Sequence, residues 1–114
     1  EKFCQLSGDD GLALGQMAHG AVGCISVTAN VAPRLLAEFQ TACLAGDFGK
    51  ARKTHDRLQP LHEALFCESS PGPVKYAASL IGRCSAETRL PLTEIAPASK
   101  ERVQAAMTSV GLLN

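Results

Sequence analysis

The sequence predicts an α/β fold, one βαβα piece followed by a helical lobe, on three observations. Two short apolar runs, FCQLS at residues 3–7 and CISV at residues 24–27, flank a crossover with helical spacing. Four later stretches repeat apolar residues at the helical period, and no third strand candidate follows them. Aromatic residues are scarce, with no Trp and a single Tyr76, while Ala, Leu and Val abound, a mix that suits helices on a small β element and disfavours an all-β fold.

Taken in order, FCQLS is the first strand and S-G-D-D at residues 7–10 is a turn, with Asp9 or Asp10 placed to cap a helix over LALGQMAHG. Gly20 and Gly23 end that helix and let the chain re-enter the sheet as CISV. Strand, crossover, strand makes a βαβ unit, so the strands are expected to run parallel. Both are continuously apolar, which predicts cover on both faces, and a two-stranded sheet cannot supply that by itself. Val31, Leu35, Leu36, Phe39 and Cys43 then recur at helical spacing, with Asn30 as N-cap, Pro33 in the first turn and Gly46 as the stop. Asp47 caps a longer helix whose stripe is Phe48, Ala51, Leu58, Leu61, Leu65 and Phe66, kinked or divided at Pro60. E-S-S-P-G-P at residues 68–73 reads as a loop, residues 74–81 as a short helix closed by Gly82, R-L-P-L around Pro91 as extended chain, and residues 98–110 as a last helix packing Val103, Ala106, Met107 and Val110.

A chain of 114 residues is long enough for one domain that buries roughly two-thirds of its unfolded surface. Its formal charge is zero and its pI is 7.1, so no field of one sign draws nucleic acid or an anionic membrane, and neither is expected as a partner. No apolar run approaches the ~18 residues needed to cross a bilayer, and no basic n-region precedes an apolar h-region. Cys4, Cys24, Cys43, Cys67 and Cys84 form no C-x-x-C pair and read as reduced, mostly buried packing thiols of a cytoplasmic protein. The chain opens on Glu1, two residues before a strand, which reads as a cut.

Single residues offer little chemistry of their own. Adjacent acids before a helix act as N-caps, so Asp9 and Asp10 are expected to cap and not to form an acid–base pair. His55 and His62 lack the i, i+4 spacing of a helical metal pair, so with Cys67 they are not expected to hold zinc, and no metal site is predicted. His19 ends the first helix, and Arg89 is expected to pin the Leu-Pro-Leu segment. Lys50, Lys53 and Lys100 fall on polar helix faces, Lys75 follows the P-G-P-V loop and Lys2 precedes the first strand; none lies mid-strand in the apolar setting that would lower its pKa.

Four motifs together are informative: LSGDD, GCISVTANVAP, PLHEALFCESSPGPVKYA and RLPL, in this order and at these separations. Along essentially the whole chain they resemble the C-terminal part of the dihydrodipicolinate synthase family (4-hydroxy-tetrahydrodipicolinate synthases), pyruvate-dependent class I aldolases. The resemblance implies a (β/α)8 TIM barrel with an appended α-helical domain. Such barrels need ~250 residues, so residues 1–46 would be the last two βα units and residues 47–114 the C-terminal helical domain. It implies a lyase of lysine and diaminopimelate biosynthesis, in which a lysine on an earlier strand forms a Schiff base with pyruvate and the enamine adds to aspartate semialdehyde.

That lysine, the tyrosine relay and the substrate-binding arginine would all lie outside this chain, which is therefore expected to be inactive alone and to need no cofactor. Family members are commonly cytoplasmic homotetramers. By resemblance Gly8 lies near the second substrate, the main-chain carbonyl of Ile25 faces the Schiff-base lysine, and Ser70 stands where the family's N-P-x-P-V-K motif has an asparagine near the active site. A hydroxyl keeps one donor and acceptor but loses the amide's reach. Another pyruvate-dependent aldolase, such as N-acetylneuraminate lyase or a keto-deoxy-sugar-acid aldolase, is the alternative within the family, and a non-catalytic helical interaction module the alternative outside it.

Overall fold

A computed structural model describes residues 3–114, so the expectation for Lys2 lies outside the described residues. In chain order the elements are α1 (Ala13–Ala18), a 3-10 turn (Thr28–Asn30), α2 (Pro33–Leu44), α3 (Phe48–Ala64), α4 (Gly72–Leu80) and α5 (Pro97–Ser109). They form two compact units, Glu1–Gln59 and Pro60–Asn114, and the division falls inside α3.

In the first unit the two expected strands do not form as strands. Instead Ser7 and Cys24 make an isolated parallel bridge, with the Ser7 N–H donating to the Gly23 carbonyl and the Ile25 N–H to the Ser7 carbonyl, both at 2.8 Å. Val22 N–H adds a bond to the Gln5 carbonyl at 2.9 Å. The parallel direction is therefore as expected, while the extent is not. A two-stranded parallel ladder has no neighbours on its outer edges, and isolated strand pairs are marginal. Nor are both faces covered: Phe3 is 89% exposed and Ile25 71%, with Leu6 and Val22 also exposed.

The rest of the unit is helical because the apolar stripes are. Met17, Val31, Leu36, Phe39, Cys43, Ala51 and Leu58 are buried together with Ala13, Ala21, Ala32 and Ala42. Pro33 is the first residue of α2, where its missing N–H is harmless. Asn30 is not the cap of this helix: it closes the 3-10 turn, its Nδ2 donating to the Val27 carbonyl at 2.9 Å, and the capping position falls to Ala32 without a side-chain bond. At the far end Gly46 takes φ 74°, and the amide of Asp47 donates to Ala42 at 2.9 Å, closing the helix with a left-handed residue as glycine permits. Asp47 then caps α3 as expected, its Oδ1 accepting from the Lys50 amide at 3.0 Å.

The second unit buries Leu61, Ala64, Leu65, Val74, Ala77, Ile95, Val103, Ala106, Met107 and Val110. Here the helix expected over residues 74–81 begins two residues earlier, at Gly72. Pro73 belongs to the first turn of α4, where proline is tolerated, so the P-G-P run starts the helix instead of excluding it. The segment around Pro91 is not extended: a cis Leu90-Pro91 bond sits in a turn closed by the Leu92 amide on the Arg89 carbonyl at 3.1 Å. The start of α5 has no local cap, and Glu68 supplies one from the α3–α4 connection, accepting from the Ala96 amide at 2.9 Å. A hydrogen bond from Ser99 and that amide hold the Glu68 carboxyl below the usual carboxylate range. Tyr76 of α4 accepts from Gln104 of α5, while Lys100 lies over its ring and pairs with Glu94.

Candidate functional site

The two loops that leave the paired segments, residues 7–10 and 25–28, are fastened to one another. Ser7 is 1% exposed and acts on both sides of its own turn, its Oγ donating to the Asp9 carbonyl at 2.9 Å and accepting from the Asp9 amide at 3.1 Å. Asp9 stays local: its Oδ1 accepts from the amides of Gly11 at 2.8 Å and Leu12 at 3.2 Å, which supports the turn into α1. Asp10 does not cap α1. Its carboxylate is buried, and Oδ2 accepts from the amides of Val27 at 2.9 Å and Thr28 at 3.0 Å across the unit, so it caps the 3-10 turn of the other loop. Two identical neighbouring acids thus have different partners. The sequence shows both beside the nearest helix and carries no mark of which one reaches across.

Cys24 completes this cluster, with Sγ 3.9 Å from Asp10 Oδ1. Burial, and then the Asp10 charge, push its thiol above the ordinary value, so it stays protonated and donates. A thiol so placed is no nucleophile. The expectation of mostly buried cysteines holds only for Cys43; Cys24 and Cys67 are half-buried, Cys4 and Cys84 are exposed, and all five are free. Their positions along the chain carry no information about depth, because only Cys43 lies on a helix face, Cys24 is in the bridge, and Cys4, Cys67 and Cys84 are in irregular segments.

Gly8 and Ile25 are brought onto these adjoining loops. Gly8 is exposed, its φ is not left-handed, and a Cβ built on it would meet nothing within 4 Å. Neither the turn nor packing within the described residues requires glycine there. Ile25 is fixed by its amide bond to Ser7, while its carbonyl accepts no hydrogen bond from any described residue. Ser70 lies in the second unit, exposed, just before a cis bond to Pro71, and its hydroxyl has no partner among the described residues.

The remaining candidates are structural. His19 follows α1 and its Nδ1 donates to the Gly15 carbonyl at 2.8 Å. The His55 ring lies 6.2 Å from that of Phe39, and His62 is buried. Among the described residues no group of three or more His, Cys, Asp or Glu could hold a metal ion. Lys50 and Lys53 are exposed, Lys75 donates to the Glu87 carbonyl and Lys100 to Glu94, and no described lysine is buried. Arg89 does not pin its segment: it is exposed and its guanidinium makes no bond within the described residues. That task falls to Lys75 and to Thr88, whose Oγ1 donates to the Leu92 carbonyl at 3.3 Å.

Parallel extended segments joined by a helix, with their following loops braced together and their apolar faces open, define the class as a βαβ piece of a parallel α/β fold. The Dihydrodipicolinate synthetase family model matches residues 1–110, and the chain belongs to this family. A 4-hydroxy-tetrahydrodipicolinate synthase of Parvibaculum lavamentivorans is 59% identical over 113 residues, which is 99% of this chain and 39% of that protein. The crystal structure of dihydrodipicolinate synthase from Aquifex aeolicus superposes with a TM-score of 0.95 at 46% identity, covering 98% of this chain and 38% of that one. The chloride-inhibited enzyme of Acinetobacter baumannii, complexed with pyruvate, superposes with a TM-score of 0.93 at 39% identity, over 97% of this chain and 38% of that one. The chain thus spans less than two-fifths of the length of these relatives.

Proposed function

We propose that these residues form the C-terminal portion of an enzyme with 4-hydroxy-tetrahydrodipicolinate synthase activity, a lyase that condenses pyruvate, held as a lysine Schiff base, with aspartate semialdehyde. The observation that carries this reading is 59% identity along 99% of the chain to an enzyme of that name. In this reading residues 1–46 are the last two βα units of a TIM barrel and residues 47–114 its helical domain. The open edges of residues 3–7 and 24–27 are where neighbouring strands pair, which accounts for apolar side chains such as Phe3 and Ile25 standing in solvent.

The reacting lysine belongs to another part of the polypeptide, and this segment completes the site. Gly8 leaves room for the second substrate to approach the backbone, which the open space at its Cβ supports. The unused Ile25 carbonyl faces the lysine as an acceptor, and Ser70 stands at the position of the family's asparagine. The enzyme is a cytoplasmic homotetramer and works without a cofactor, pyruvate being a substrate. No helix of the described residues is long and apolar enough to cross a membrane.

A coupled assay of the full-length polypeptide tests this. Condensation of pyruvate with aspartate semialdehyde is expected, with no cleavage of N-acetylneuraminate; the reverse pattern would transfer the chain to the sugar-acid aldolases and remove the substrate assignment.

A further inference from the structure

We infer that Asp10 is a positioning residue for this reaction, fixing the direction of the Ile25 carbonyl through the amides of Val27 and Thr28. This role rests on the reading that the carbonyl faces the reacting lysine, and it adds a residue that the sequence places elsewhere, at the first helix. The geometry brackets the peptide in question. On one side the Ile25 amide is bonded to Ser7 at 2.8 Å; on the other, Asp10 Oδ2 takes the Val27 and Thr28 amides at 2.9 and 3.0 Å. Between them Ser26 Oγ accepts from the Ala29 amide at 2.9 Å. The Ile25 carbonyl is therefore held on a short fixed arc with nothing in the described chain to accept from.

The choice of residue points the same way. Asp10 is 3% exposed, and among the described residues no Lys, Arg or His forms an ion pair with it. A buried carboxylate without a cation is costly, and a neutral Ser or Asn would cap a turn nearly as well. What the carboxylate adds is charge-assisted bonds, stronger than neutral ones, to two consecutive amides. That strength matters where a backbone oxygen must stay aimed at a reacting group, since a displacement near 1 Å can cost on the order of 10²-fold in rate.

The test uses the full-length polypeptide and measures the single-turnover rate of borohydride-trappable adduct formation with labelled pyruvate against pH, per folded molecule. Asp10→Ala is expected to lower the rate on the order of 10²-fold, with Asp10→Asn between it and the unchanged protein. A carbonyl acceptor stabilises the lysine's ammonium form, so its displacement lowers that lysine's pKa and moves the acid limb of the profile to lower pH in both variants. A purely structural staple would lower the melting temperature yet leave rate and profile unmoved, and that result overturns the role. If Asp10→Ala does not fold, Asp10→Asn decides: a several-fold loss with the same shift supports the role, and rate and profile equal to the unchanged protein overturn it. Absence of any pyruvate adduct in the unchanged protein overturns the Schiff-base reading itself, which keeps the two failures apart.

Discussion

Glu68 shows how a single side chain ties one element to pH. Bonds from Ser99 and the Ala96 amide favour its ionised form, so its folded pKa lies below the ordinary carboxylate value of 4.5. A depressed carboxylate contributes stability above its unfolded pKa and loses it as pH falls through the folded one. Chemical denaturation of the unchanged protein and of Glu68→Gln is thus expected to show a stability gap at neutral pH that closes at acid pH; a gap independent of pH would refute the assignment. Gly72 makes a steric prediction: a Cβ there would stand 2.9 Å from Ile95 Cγ2, so Gly72→Ala is expected to cost about 1–3 kcal/mol, less on an Ile95→Ala background. Neither contact was legible beforehand, because both join residues more than twenty positions apart, and the same blindness assigned Asp10 to the wrong helix.

At the scale of elements the helices were legible and the strands were not. Apolar spacing marked Val31, Leu35, Leu36, Phe39 and Cys43 as one face, and the structure buries all of them but Leu35, which is half-buried. Left-handed glycines closed two of these helices where expected, Gly46 at φ 74° and Gly82 at φ 70°. Gly46→Ala is accordingly expected to destabilise by roughly 1–2 kcal/mol in thermal denaturation, whereas Gly15→Ala, inside α1 with normal φ and open space, is expected to stabilise by roughly 0.5–1 kcal/mol. Helix bonds close within a segment, so the segment's own residues report them; a ladder's bonds close elsewhere. Residues 3–7 and 24–27 carried the apolar signal of strands and their parallel direction, and the structure realises that signal as one bridge because the partners a parallel sheet needs are not among these residues.

At the scale of the molecule the same deficit becomes a solution property. Phe3, Leu6, Val22 and Ile25 leave an apolar face beside unpaired backbone edges, the combination that drives association. The isolated 114-residue chain is therefore expected to sediment as an associated species at micromolar concentration, and a well-behaved monomer would count against open edges. The family was legible from four ordered motifs, and the match over residues 1–110 bears that out. The central claim is that this segment shapes a site whose nucleophile lies elsewhere in the polypeptide. Borohydride trapping of the full-length protein with labelled pyruvate, followed by proteolysis and mass mapping, tests it most directly. The account predicts one labelled lysine outside these 114 residues; label on Lys2, Lys50, Lys53, Lys75 or Lys100 would contradict it.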